Sequence, residues 1–274
     1  MSVSRRGNRN NRRESLLLAL PRGRGYTFLI EHLTVSFTVV GEGRALDVTT
    51  FAKRLAQLKS DLVAQGDRVV EMTLRAVESW FELDREKADA VIRADDLIDR
   101  VDIEIERGSI PLLAMGQSEE YEIRSVLMLV KINNELERIA DCAVNIAEIV
   151  VEPFERTIEV PATFRVMANS VIGILRDANR SLARLDTSLA SQTLSCDDTV
   201  DRFKRSILLD AQEQVAAGSL SVQAAFRLMT VTKSLERIAD HCTNICEQVI
   251  YLESGLIVRH RPEGWTAPVA PDAT

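Results

Sequence analysis

Eight acids in this chain fall into four pairs spaced i,i+4: Asp95 with Asp99, Glu137 with Asp141, Asp197 with Asp201, and Glu236 with Asp240. On a helix, residues four apart share a face, so each pair sets two carboxylates side by side. Like charges at that spacing oppose helix formation by roughly 0.2 to 0.5 kcal/mol per exposed pair, and by more where water is partly excluded. A positive counterpart is therefore expected. A hard cation held by these oxygens, by the amides Asn145 or Asn244 and by water would supply it, and that ligand set suits Mg, Mn or iron. The competing reading is a solvated network in which Arg100, Arg138, Arg202 and Arg237 neutralise the acids.

The elements that position these acids are legible as a repeat. Leu136-Glu137-Arg138-Ile139-Ala140-Asp141 recurs unchanged as Leu235-Glu236-Arg237-Ile238-Ala239-Asp240. Around the first copy Ile132, Leu136, Ile139, Ala143, Ile146 and Val150 recur at steps of four and three, the signature of a helix with one buried seam. Leu228, Leu235, Ile238, Cys242, Ile245 and Val249 continue that pattern in the second. Glu137, Asp141, Asn145 and Glu148 run along the border of one seam, and Glu236, Asp240, Asn244 and Glu247 along the other.

The duplication reaches further. Ala76, Ser79, Leu83 and Asp84 recur as Ala178, Ser181, Leu185 and Asp186, and Asp95, Asp96, Asp99 and Arg100 as Asp197, Asp198, Asp201 and Arg202, all at a constant offset of 102. Asp99 and Glu137 are equidistant from Ser118, within the turn signal Gly116-Gln117-Ser118, and the midpoint of Asp201 and Glu236 falls between Gly218 and Ser219. If the second and third helices of each half form an antiparallel hairpin, the acid pairs face one another.

The expected fold is thus all-α, as two tandem three-helix bundles: residues 50–152 and 158–254, the second with one helix from about Ala162 to Leu185 and one from Thr187 to Ala217. Aromatics at 5% and 7 prolines suit aliphatic helix packing. Residues 1–49 read as a basic, disordered extension, with Arg5, Arg6, Arg9, Arg12 and Arg13 near its start. Phe28 to Val40 is rich in β-branched residues, yet no second segment is evident to pair with it as a strand. Residues 255–274, with Pro262, Pro268 and Pro271, read as a disordered tail.

A net charge of −7 argues against nucleic acid as a general partner. No run approaches the roughly 20 apolar residues that span a bilayer. Cys142, Cys196, Cys242 and Cys246 lack the spacing of a disulfide framework, and reduced thiols of a cytosolic protein are expected. Cys242, Cys246 and His241 invite a zinc reading, but Cys242 lies on the apolar seam, His241 points away from it, and core thiols explain them with less. The absence of Glu-x-x-His, of a Gly-rich phosphate loop and of a base or nucleophile apart from the carboxylates weighs against an enzyme.

The paired Leu-Glu-Arg-Ile-Ala-Asp-x-x-x-Asn-Ile motifs, together with Glu-Gln-Val-Ile-Tyr-Leu-Glu-Ser-Gly-Leu-Ile-Val-Arg-His from Glu247 to His260, resemble the PhoU family over about Thr50 to His260. The resemblance implies a non-catalytic cytoplasmic negative regulator of phosphate uptake and phosphate-regulon signalling. Its implied partners are the ATPase of the phosphate ABC transporter and a sensor histidine kinase, with membrane contact only through them, and its implied assembly is a homodimer. It also implies metal, including iron or zinc clusters, on Asp95, Asp99, Glu137, Asp141, Asp197, Asp201, Glu236 and Asp240. Alternatives are a metal-dependent helical-bundle enzyme and a metal-free adaptor of another phosphate transporter. The first 49 residues have no counterpart in the family. Ala114 to Glu122 lacks the usual Pro-Val-Ala-x-Asp-Leu-Arg, keeping only Arg124 where its final Arg falls. The native start is expected downstream of Met1, and intact-mass analysis of the native protein would overturn this by finding the first residues present.

Overall fold

The computed structural model describes residues 22–30, 33–40, 48–115, 119–152, 161–255 and 257–258. The chain divides into two compact units, Met1–Val48 and Thr49–Thr274. The first contains a hairpin: β1 (Arg22–Ile30) pairs antiparallel with β2 (Leu33–Val40), with Tyr26 opposite Phe37, Phe28 opposite Val35 and Ile30 opposite Leu33. This corrects the expectation of a disordered arm at those positions. Phe28 to Val40 is not one strand without a partner; it contains a chain reversal, and its partner strand begins upstream at Arg22. Residues 1–21, where the Arg cluster lies, fall outside the described residues, as does most of the expected tail.

The second unit is all-α, with helices α1 (Val48–Glu82), α2 (Arg85–Ala114), α3 (Glu120–Val151), α4 (Ala162–Arg184), α5 (Thr187–Leu194), α6 (Asp197–Ala216) and α7 (Val222–Ser254). Every residue of the two predicted seams, on α3 and α7, is at most 1% exposed. These helices pack on each other, α3 also on α2, and α7 also on α4, α5 and α6. Burial on two sides explains why Ala140, Cys142 and Ala147, off the seam of α3, are buried as well. The halves therefore share one core. Gln65 reaches from α1 to the Ile98 carbonyl at 2.8 Å, and Trp80 meets Phe164 of α4 with ring centroids 6.2 Å apart. Gly66 is required where α1 nears α4, because a Cβ there would come within 2.0 Å of Asn179 Oδ1.

The first joint of each half is built twice from the same residues. Leu83 and Leu185 take the left-handed conformation, φ 55° and 51°. The amides of Asp84 and Asp186 then bond back to the carbonyls of Ser79 and Ser181 at 3.0 and 2.9 Å, closing the ending helix. The same two aspartates start the next helix, accepting from Lys87 N at 3.0 Å and Leu189 N at 2.9 Å. A left-handed leucine costs about 1 kcal/mol, so the reversal is held by its flanking bonds.

One expectation for the second half is corrected. The single helix from Thr187 to Ala217 is interrupted at Ser195–Cys196, where amides bond three residues back instead of four: Ser195 to Gln192 O and Cys196 to Thr193 O. Side chains compete for the carbonyls there, since the Thr193 hydroxyl takes Leu189 O at 2.9 Å and the Ser195 hydroxyl takes Gln192 O at 2.6 Å. The equivalent residues of α2, Val91 and Arg93, have no hydroxyl, and α2 is continuous.

The duplicated caps yield a paired expectation. Asp84→Ala and Asp186→Ala should each lower stability by about 1 kcal/mol, and because they share no partner the double variant should lose the sum. Denaturant melts check this, and a negligible effect of either would remove its cap role.

Candidate cation site on the carboxylate faces

In the first half the structure brings the predicted acids together. Asp95 of α2 and Asp141 of α3 lie at one level of the antiparallel pair, and Asp99 lies level with Glu137. Burial and the charges of Asp99, Asp141 and Asp96 push the Asp95 carboxyl up to about 6. Glu137 is also raised, by burial and then by Asp141, Asp102 and Asp99, with Arg138 easing the effect. Neither Asp95, Asp99, Glu137 nor Asp141 makes an ion pair among the described residues. Arg100, a proposed neutraliser, turns its Nε to the Asp96 carbonyl at 3.0 Å.

Two residues not foreseen complete this face. Asp102 stands three residues beyond Asp99, one helical turn along, and its carboxyl is raised by burial, Glu106 and Asp99. Asn133, four residues before Glu137 and only 3% exposed, donates from Nδ2 to the Asp102 carboxylate at 2.6 Å and to its carbonyl at 3.0 Å. The Asn133 Oδ1 has no partner. The signal was the helical step: continuing each acid pair by one turn reaches these two residues.

The second half is built differently. Lys204 of α6 places its Nζ 2.7 Å from Glu236 Oε1, and that bond, with Asp201 and Asp240 nearby, raises the Lys204 pKa. Asp201 and Asp240 are exposed, and Asp197 opens α6 with its side chain outside the description. Asn145 is exposed on α3. Asn244 is turned elsewhere, its Nδ2 donating to Glu135 Oε2 at 3.0 Å.

Glu135 belongs to a buried polar joint between the halves. The Nδ1–H of His241 donates to the same oxygen at 2.7 Å, and His241 is only 7% exposed. His241 does point away from the seam of its own half, as expected, but into α3 of the other. Burial alone would raise the Glu135 carboxyl; the bonds from His241 and Asn244, with the charges of His241 and Arg138, outweigh it and hold the carboxyl below its usual value. At Cys242 and Cys246, where zinc was the alternative, burial pushes Cys246 up to about 12 and Cys242 well above its ordinary value, and the Nδ1 of His241 is engaged by Glu135 at 2.7 Å.

A hard cation fits the first face by charge and by donor type: carboxylates in no ion pair among the described residues, and the orphaned amide oxygen of Asn133. As they stand, no three acid, His or Cys side chains among the described residues converge closely enough to hold an ion, so binding would have to draw them together.

A duplicated helical bundle with carboxylates opposed across each hairpin is a defined class of protein, and comparison assigns it. The PhoU domain model matches residues 62–150 and 164–249. The chain belongs to the PhoU family. It is 31% identical over 212 residues to the phosphate-specific transport system accessory protein PhoU homolog 1 of Thermotoga maritima, covering 77% of this chain and 91% of that one. It is 25% identical over 211 residues to PhoU of Escherichia coli, covering 77% and 88%. The crystal structure of PhoU from Pseudomonas aeruginosa superposes with a TM-score of 0.72 at 28% identity, covering 75% of this chain and 99% of that one. PhoU from Streptococcus pneumoniae, at 24% identity and a TM-score of 0.71, shares the fold.

The Glu135 joint sets a pH dependence. A carboxyl held below its unfolded value stabilises the fold fully above the usual Glu range, and that contribution is lost as pH falls through the folded value. Glu135→Gln should cost about 1 to 3 kcal/mol at neutral pH, the gap to wild type narrowing in acid. Urea melts at several pH values test this, and a gap independent of pH would deny the lowered Glu135 carboxyl.

Proposed function

We propose that this chain is a non-catalytic cytoplasmic regulator that restrains phosphate uptake and phosphate-regulon signalling. In this reading it bridges the ATPase of a phosphate ABC transporter and a sensor histidine kinase, and it assembles as a homodimer. The observation that carries the proposal is the match of both halves, in order, to the domain of phosphate-transport accessory proteins. No helix among the described residues is long and apolar enough to cross a membrane, which is consistent with reaching a membrane transporter through its ATPase.

The surface offers positions for such docking. The tips of both second-to-third-helix hairpins expose aliphatic and aromatic side chains at matching places: Ile123 and Leu127 on α3, Val222 and Phe226 on α7. A shallow groove of about 300 Å³ runs between Val215, Val222, Phe226 and Met229. Exposed apolar patches of this kind mark protein contact surfaces.

Metal enters this reading on the first carboxylate face, where Asp95, Asp99, Asp102, Glu137 and Asp141 would hold a hard cation. Bound there, the cation would neutralise the mutual repulsion of α2 and α3 and so stiffen the hairpin whose tip meets a partner. Mg, Mn or iron suits these donors, and zinc through thiolates does not.

Two measurements test the proposal. Pull-down of the transporter ATPase by the purified chain should succeed, and should weaken with Leu127→Ser and Phe226→Ser together; failure of the wild type to capture it would refute the docking role. Elemental analysis of protein purified without chelator should find metal that is lost when Glu137, Asp141, Glu236 and Asp240 become amides. Equal, negligible metal in both would refute the cation site, and sedimentation analysis tests the dimer.

A further inference from the structure

We propose that the duplication has left two unequal carboxylate faces: the first takes a hard cation, whereas the second is filled by the chain's own ammonium group, Lys204. This rests on the cation reading above and adds that the chain carries one such site where the repeat suggests two.

The argument begins with what the halves have in common. Both carry two acid pairs, the arginine inside each Leu-Glu-Arg motif, and a second arginine after each first pair. Arg100 and Arg202 are equivalent and are spent alike, each donating from Nε to the carbonyl four residues back, at 3.0 and 3.2 Å. The shared arginines therefore do not distinguish the faces.

The difference lies one turn further along. At the offset that maps Asp99 onto Asp201, Asp102 maps onto Lys204. The first face thus has a fifth carboxylate where the second has an ammonium. That ammonium is 2.7 Å from Glu236 Oε1, the residue equivalent to Glu137, and has Asp201 and Asp240 as its other charged neighbours. A lysine Nζ at this distance occupies the space and satisfies the charge that a bound cation would.

A second position changes with the first. Asn133, which holds Asp102 by 2.6 and 3.0 Å bonds, aligns with Thr232, whose hydroxyl turns back to the Leu228 carbonyl of its own helix at 2.7 Å. Asn133 is buried, and its Oδ1, on the same amide whose nitrogen holds Asp102, lacks a partner. A buried neutral oxygen on the amide that holds Asp102 is the kind of donor a hard cation recruits, and at the equivalent position the second half has only the Thr232 hydroxyl, bonded within its own helix. Its neighbour adds another positive group: Arg205, at the position of Ile103, donates to the Asp201 carbonyl at 3.3 Å.

Exchange of one residue tests this on the full chain, with Mn²⁺ as the probe. Binding is read by titration calorimetry and electron paramagnetic resonance, and folding by circular dichroism and the thermal melt. Wild type should bind Mn²⁺ at one strong site per chain. Lys204→Asp should open a second, with affinity raised at least about tenfold over any second site of wild type, and should melt lower without Mn²⁺ than with it. Asp102→Lys should abolish strong binding and melt at the same temperature with or without Mn²⁺. Two equal sites in wild type, each insensitive to its exchange, would keep the cation reading and overturn the inequality. Folded wild type and folded Lys204→Asp that both fail to bind would overturn the cation reading itself.

Discussion

The packing of α3 against α7 is the constraint on which the rest of this structure depends. Each of these helices is buried by its own half on one side and by the other half on another, so its buried residues extend well beyond a single seam. Apart from the joint at Glu135, the acids collect along the strip left over, where Glu137, Asp141, Glu236 and Asp240 lie. The crowding of acids is therefore partly a consequence of burial: a helix with one free strip must concentrate its polar groups there. Partial burial then raises the cost of keeping them ionised, as at Asp95, where proximity to Asp99 and Asp141 adds to desolvation.

The two halves resolve this cost by different chemistry. The second supplies a lysine, and Glu236 becomes half of an internal ion pair. In the first half Asp102 is braced by an amide, and Glu137 feels the charge of Arg138 without an ion pair to it. Duplication preserved the backbone, down to the left-handed leucines and their capping aspartates, while side chains at one turn of one helix pair diverged. The conserved joints fix where the acids stand; the divergent turn decides what they meet.

Much of this was legible in the sequence, for a physical reason. Long helices with a strict apolar period report their buried face directly, so both seams, the four acid pairs and the opposition of Asp99 to Glu137 follow from spacing. The left-handed joint was visible as the recurrence of Leu and Asp at a fixed offset, though not its geometry. What periodicity could not show depends on competition or on distant partners. The break at Ser195 is a switch from four-residue to three-residue amide bonding that the apolar period does not report, and the hairpin at Arg22–Val40 comes from a reversal hidden inside one β-rich run. Lys204 lies outside the acid stripe that draws attention, and the meeting of His241 with Glu135 exists only once the halves dock.

That last meeting bears on how the chain assembles as it is made. In the repeat, the counterpart of His241 is Cys142, and the counterpart of Glu135 is Ser234. Two copies of the first half, packed as the halves are here, would each set Glu135 against Cys142, burying a carboxylate opposite a thiol that burial raises to about 11 and that offers only a weak donor. Two copies of the second would set His241 against Ser234 and gain no charge pairing. Only the mixed arrangement brings an imidazole to the carboxylate; the carboxamide is common to both halves, as Asn145 and Asn244. At this joint the first half is thus better matched to the half that follows it on the same chain than to a second copy of itself.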